Sequence, residues 1–278
     1  MTAPLHIRRP ARPNRRAPAL RWAALLGLII FAAGCRATNS TPMVLYLDGA
    51  GWYGSHRSFE AGLRRGGYTG RVQNFTWTSF LGPGADHLLA ARSGIPARRL
   101  AGRIREIRRH SPQGKIHLVG RSSGSAVVIQ ALEQLPPGVE VDHVLFLQSS
   151  VSPRRNLADA LEHVRGRMYA TTSRHDMLLA AMTVCAEGEL GPPAGRTGFL
   201  LPRSLSESQK RLYAKLILLP WRPAYAALGW DGGHFHVTRK DFVEHVIAPR
   251  LLSDQPFPLD RPLVFVESQR QTAATPRP

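Results

Sequence analysis

Three serines fall within four residues in the stretch HLVGRSSGSAVV, His117 to Val128. A serine hydroxyl is a poor nucleophile until a base takes its proton, and the base needs an acid to orient it. The nucleophile also needs a tight strand-to-helix turn, where the residues two before and two after approach closely and must be small. Ser122 has Gly120 and Gly124 at those places, whereas Ser123 has Arg121 and Ser125. An arginine does not fit there, so Ser122 is the candidate nucleophile. The apolar run KIHLV (115–119) precedes the turn and a helical stretch (124–135) follows, as G-x-S-x-G chemistry requires.

A second glycine-rich turn, LDGAGWYGS, follows the apolar run 43–47. Gly49, Gly51 and Gly54 satisfy G-x-G-x-x-G, which also serves dinucleotide binding. That use calls for a carboxylate about 20 residues on, to hold the ribose hydroxyls. No Asp or Glu occurs from Ala61 to Ala85, which leaves Arg71 as a partner for a 2′-phosphate. The dinucleotide reading accounts for this turn alone and not for the serine turn.

The elements that must position these turns read as alternating strands and helices. Strands are expected at 43–47, 71–75, 115–119, 143–147, 166–171 and 224–228. Continuous rather than alternating apolar character suits strands buried on both faces of a parallel sheet. Amphipathic helices are expected over 96–111, 125–135, 155–164 and 238–247, the last with Thr238 and Asp241 as a capping box. The expectation is a three-layer α/β/α sandwich with a reduced, mostly parallel sheet of about six strands. Residues 177–223 break the rhythm, with a turn-rich part and a helix through SESQKRLYAKLILLPW, and read as a cap-like insertion over one sheet edge.

With Ser122 at its elbow the chain resembles the α/β-hydrolase superfamily over about residues 43–250. The resemblance implies partners in the order Ser, Asp/Glu, His. Asp176, in the loop TSRHDML beyond the expected strand 166–171, stands where the family carries its acid, with Asp231 as the alternative. The base falls in WDGGHFHV: His234, after Gly232-Gly233, is preferred to His236, although two such histidines also suit zinc. No third metal ligand is evident, and no metal or cofactor is expected. The family's oxyanion donors map to the Ser123 N–H and to one of Ala50, Gly51 or Trp52. A single hypothesis thus uses both glycine turns.

The N-terminus carries a different message. Arg8, Arg9, Arg12, Arg15, Arg16 and Arg21 precede the 12-residue apolar run Trp22–Ala33, which suits a signal peptide better than a membrane span. FAAGC resembles a bacterial lipobox, implying a signal peptide over 1–34, lipidation at Cys35 and a linker through 42. Removing that segment takes six arginines and leaves +12 of the +18 formal charge, so the charge does not single out nucleic acid. The basic face of the 96–111 helix is either solvated or in contact with anionic lipid. Cys185 then has no intrachain partner and reads as packing rather than a catalytic thiol. The domain would span 43–252, with a tail over 253–278 in which PLVFV (262–266) docks. The expected function is an exported, membrane-anchored serine hydrolase cleaving an acyl bond, a carboxylic ester above all, of a small or lipid-like substrate. The alternative is a non-catalytic envelope lipoprotein that uses the scaffold for binding.

Overall fold

Residues 41–51, 54–79, 81–182, 184–258 and 260–264 are described by the computed structural model. Six strands form one sheet: β1 (Met43–Leu47), β2 (Arg71–Asn74), β3 (Ile116–Arg121), β4 (His143–Leu147), β5 (Met168–Thr172) and β6 (Leu216–Pro220). Their order is β2-β1-β3-β4-β5-β6 and every pairing is parallel. Leu47 pairs with Gly120 and Arg121 with Leu147, so β1, β3 and β4 end level. That register delivers Asp48, Ser122 and Gln148 to one edge, the carboxyl edge where open α/β sheets bind ligands.

The apolar runs are continuous because both faces are covered. Leu45, Leu47, Leu118, Val144 and Phe146 pack with Leu100 and Ile104 of α3 (Ile95–His110) and Val127 and Val128 of α4 (Gly124–Glu133). On the other face Val44, Tyr46, Val119, Leu145 and Tyr169 meet Phe59 and Leu63 of α1 (Ser55–Arg65). Phe242, Val243 and Ile247 of the last helix, residues 240–252 with a π turn at Val243–Ile247, complete that layer. Each such side chain contributes roughly 1.5–3 kcal/mol by leaving water. On α3 the arginine face includes Arg108, whose guanidinium holds the carbonyls of Pro112, Gly114 and Glu140.

Several expectations change. The sixth strand is not 224–228, which forms a 3-10 helix (Pro223–Leu228) headed by a proline. It is LILLP, expected as the end of a helix. A capping box between Ser206 and Gln209 starts α8 (Glu207–Tyr213), which stops at Tyr213 and frees the apolar run to pair with β5. Thr238 makes no capping box, because it lies in a 3-10 turn and donates its hydroxyl to the Phe235 carbonyl. The helix expected over 155–164 shortens to α5 (Ala158–Glu162), and α2 (Pro83–Arg92) is an unanticipated addition. The segment 177–223, expected as a cap-like insertion over one sheet edge, supplies the edge strand itself. Besides β6 it holds α6 (Met177–Ala181) and α7 (Ala194–Thr197), and Gly195 threads against β4's end, where a Cβ would lie 2.5 Å from Gln148 C. The Ala194 and Gly195 amides donate to Val151 and Ser149, which stitches the segment to the carboxyl edge. In the tail Leu263 is buried and Pro262 bridges Ile217, while residues 265 and 266 lie outside the described residues. Among the described residues no helix is long and apolar enough to cross a membrane.

Candidate active site

The turn from β3 into α4 is built by sterics. Ser122 holds φ 49°, and Gln148 across from it holds φ 48°; they are the two non-glycine residues with positive φ among those described. Left-handed backbone costs an L-residue about 1–2 kcal/mol, and sites retain such strain where neighbours enforce it. Here the Ser122 N–H donates to the Leu147 carbonyl at 2.9 Å. A Cβ on Gly120 would lie 2.7 Å from Ser125 Cα, and one on Gly124 would lie 2.7 Å from the Asp48 carbonyl oxygen. Both glycines are therefore required, the first by the start of α4 and the second by the end of β1.

The three serines have separate employments. Ser125 Oγ donates to the Ser122 carbonyl and bonds Ser149 Oγ at 2.7 Å. Ser123 Oγ lies 2.7 Å from His87 Nδ1, and His87 Nε2 lies 3.2 Å from the Val184 carbonyl. A carbonyl only accepts, so Nε2 carries the proton and Nδ1 accepts from the Ser123 hydroxyl. Burial lowers the His87 pKa, which favours this neutral form. Ser122 alone of the three keeps a hydroxyl with no partner among the described residues.

Two histidine–aspartate pairs stand over this edge. His234 Nδ1 lies 2.7 Å from Asp176 Oδ2, and both residues are buried. Asp176 is also the N-cap of α6, its Oδ1 accepting from the Leu179 N–H at 2.9 Å. One carboxylate thus fixes a helix start and an imidazole together. Because the carboxylate accepts, His234 carries its proton on Nδ1 and presents Nε2 as a base. Nε2 is buried and has no hydrogen-bond partner among the described residues, the Ser122 hydroxyl included. Burial holds the His234 ring below the ordinary histidine range, outweighing the pull of Asp176, and the Arg121 charge acts in the same direction as burial. The two alternatives pair with each other: His236 Nδ1 meets Asp231 Oδ2 at 2.8 Å, in solvent.

Arg121, the variable residue of the elbow, is buried and spans the site. Its Nη1 is 3.2 Å from Asp48 Oδ1, its Nη2 donates to the His234 carbonyl at 3.2 Å, and its guanidinium lies 5.6 Å from the Phe235 ring centroid. Asp48 in turn accepts from the Gly49 and Ser55 amides and the Ser55 hydroxyl. The first glycine turn, the elbow and the histidine loop are thereby tied through one ion pair.

The candidate oxyanion donors divide. The N–H groups of Ser123 and Ala50 reach no acceptor among the described residues. Gly51 is engaged, its N–H donating to Asp86 Oδ2 at 3.2 Å, and Trp52 lies outside the described residues. A Cβ on Gly51 would stand 2.6 Å from Pro83 Cγ, so α2 occupies the space against this glycine. The contacts of Arg121, His87 and Asp86 escape sequence reasoning, since each joins segments remote along the chain. Only Arg121's place inside the elbow motif was a signal. Cys185 is buried, and burial with Glu187 and Glu189 pushes its thiol up to about 11, so it is no thiolate nucleophile. Cys35 lies outside the described residues.

No protein-family model matches the sequence, and no curated protein matches it. Among solved structures the chain is similar to an esterase of Pyrococcus furiosus, at 13% identity and a TM-score of 0.46, covering 77% of this chain and 85% of the other. A lipase-esterase related protein of Clostridium acetobutylicum gives 12% and 0.44, over 77% and 96%. A cutinase-like protein of a Cryptococcus species gives 14% and 0.40, over 78% and 95%.

Proposed function

We propose that the protein is a serine hydrolase acting on carboxylic esters, with Ser122 as nucleophile, His234 as base and Asp176 as the group that orients His234. One observation carries this reading. A buried imidazole is held by a buried carboxylate at 2.7 Å and leaves Nε2 without a partner among the described residues, at the edge where Ser122, likewise, keeps the one free hydroxyl of its three serines. Ser122 Oγ attacks the acyl carbon as its proton passes to His234 Nε2. The imidazolium returns that proton to the departing alkoxide, which leaves as an alcohol. Water then gives a proton to Nε2 as it adds to the acyl carbon, and the imidazolium returns that proton to Ser122 Oγ as the acyl–Oγ bond breaks and the carboxylic acid leaves. The developing oxyanion is met by the Ser123 and Ala50 amides, with Ser123 held by His87 through its side chain. Hydrogen bonds of this kind often close only when substrate is bound, so an open Ser122–His234 contact suits the free enzyme.

Met177 and Phe235 are exposed apolar residues next in sequence to Asp176 and His234, which supports an apolar acyl or alcohol group. The N-terminal segment supports export and anchoring through a lipidated Cys35. A fluorophosphonate probe tests the chemistry: the folded wild type is expected to label at Ser122 and the Ser122→Ala variant is not. An unlabelled, folded wild type would sink the enzyme reading and leave a binding scaffold.

A further inference from the structure

At the carboxyl ends of β5 and β6, a cavity of about 590 Å³ opens that neither Ser122 nor His234 lines. Among the described residues four arginines border it, Arg174, Arg196, Arg222 and Arg261, and no acidic residue does. Arg196 donates to the Asp176 carbonyl, and Arg261 to the carbonyls of Pro258 and Asp260. Arg174 and Arg222 are exposed, and their guanidinium groups make no hydrogen bond or ion pair among the described residues. The cavity also has apolar walls, including buried Phe199 and half-buried Trp221. The indole N–H of Trp221 is committed to the Trp230 carbonyl at 2.8 Å, so the ring offers the cavity carbon surface.

Four like charges around one concavity repel each other, and low-dielectric walls concentrate their field on whatever enters. Guanidinium groups match oxyanions fork to fork. A carboxylate has two oxygens, enough to face one fork well, whereas a phosphate presents oxygens in several directions. The apolar walls favour a hydrocarbon body beside that head, and the volume falls within the range of small-molecule sites. We infer that this cavity binds a phosphate group carried on an apolar body, as in the headgroup region of an acidic phospholipid. The site shares no lining residue with the proposed hydrolytic centre and stands whether or not Ser122 is a nucleophile.

Titration of the full chain carrying Ser122→Ala, so that the probe's ester bonds stay intact, with monomeric dihexanoyl phosphatidic acid, followed by intrinsic tryptophan fluorescence and by calorimetry, tests it. Saturable binding is expected, tighter by about tenfold than that of inorganic phosphate or of neutral dihexanoylglycerol, and weakened as salt rises to about 0.5 M. The Arg174→Gln/Arg222→Gln variant removes two exposed, unpaired charges and should keep its far-ultraviolet dichroism and, with Ser122 in place, its fluorophosphonate labelling. Its affinity for the phosphatidic acid should fall by about tenfold or more. No saturable binding, equal affinity for the neutral diacylglycerol, or unchanged affinity in the variant would overturn the site. Inorganic phosphate binding as tightly as the lipid would overturn the part played by the apolar walls.

Discussion

His234 and His236 stand two residues apart, and each donates from Nδ1 to an aspartate, at 2.7 Å and 2.8 Å. By distance the pairs are the same. By surroundings they are opposites, since the first is buried on both sides and the second leaves 42% of the histidine and 59% of the aspartate side chain in solvent. Water screens the outer pair, and exposed ion pairs contribute little. The inner pair interacts through a low effective dielectric and is fixed by a helix start, so its imidazole is oriented before any substrate arrives. Burial, not contact length, separates the pair proposed as base and orienting acid from one that closes a turn.

That contrast can be broken most sharply by exchanging the histidines. His234→Ala should lower kcat on a p-nitrophenyl ester by about 10⁴-fold or more, and His236→Ala by less than about threefold. A reversed ranking would move the base to His236. Asp176→Asn, which keeps an oxygen for the Leu179 amide, should cost about 10⁴-fold in kcat with the fold intact by circular dichroism.

A smaller effect lies in the ion pair beneath. Arg121→Met leaves buried Asp48 without its cation and should destabilise the protein by about 3 kcal/mol in urea unfolding. The same change removes a charge that lowers the His234 pKa, so the acid limb of kcat/KM should move to higher pH. In the parent that limb should lie below the ordinary histidine midpoint of about 6.5. An unmoved limb would deny Arg121 its part in tuning the base.

The far end of the sheet sharpens the role of burial without any carboxylate partner in hydrogen-bond contact. His117 stacks on His143 with centroids 5.4 Å apart, and burial, aided by that neighbour, pushes His117 down to about 3. Below about pH 6.5 the unfolded chain takes up protons that the native ring refuses, so stability is fully present above that pH and falls as pH drops. His117 alone should remove about 2 kcal/mol between pH 6.5 and 5, visible as a lower melting temperature that flattens in His117→Gln. Smallest of all, Asp231→Asn should change stability by less than about 0.5 kcal/mol.

The need for glycine at 120 and 124 was legible in the motif's spacing, but only the clash at Gly120, against Ser125, is local; Gly124 is required by the end of β1. The buried strands were legible because two-sided cover forces unbroken apolar runs such as MVLYL and HVLFL. Strand β6 was hidden, since LILLP follows α8 without a turn signal and apolar runs of that length suit either element. His87, Asp86 and the Arg121–Asp48 pair could not be read at all. Their meaning lies in contacts 35 to 97 positions apart, which residue type and local spacing do not encode.

The all-parallel sheet has a consequence in time as well as space. With no hairpin in it, each strand meets its neighbour only after an intervening crossover has closed, and such non-local pairing makes folding slow. The residues at the carboxyl edge come from β1, β3, β4 and the loops after β5 and β6, so they converge only when those crossovers are complete. Until then the strand runs stand as unpaired apolar segments prone to association, and the chain's window of vulnerability is the interval before its last loop is in place.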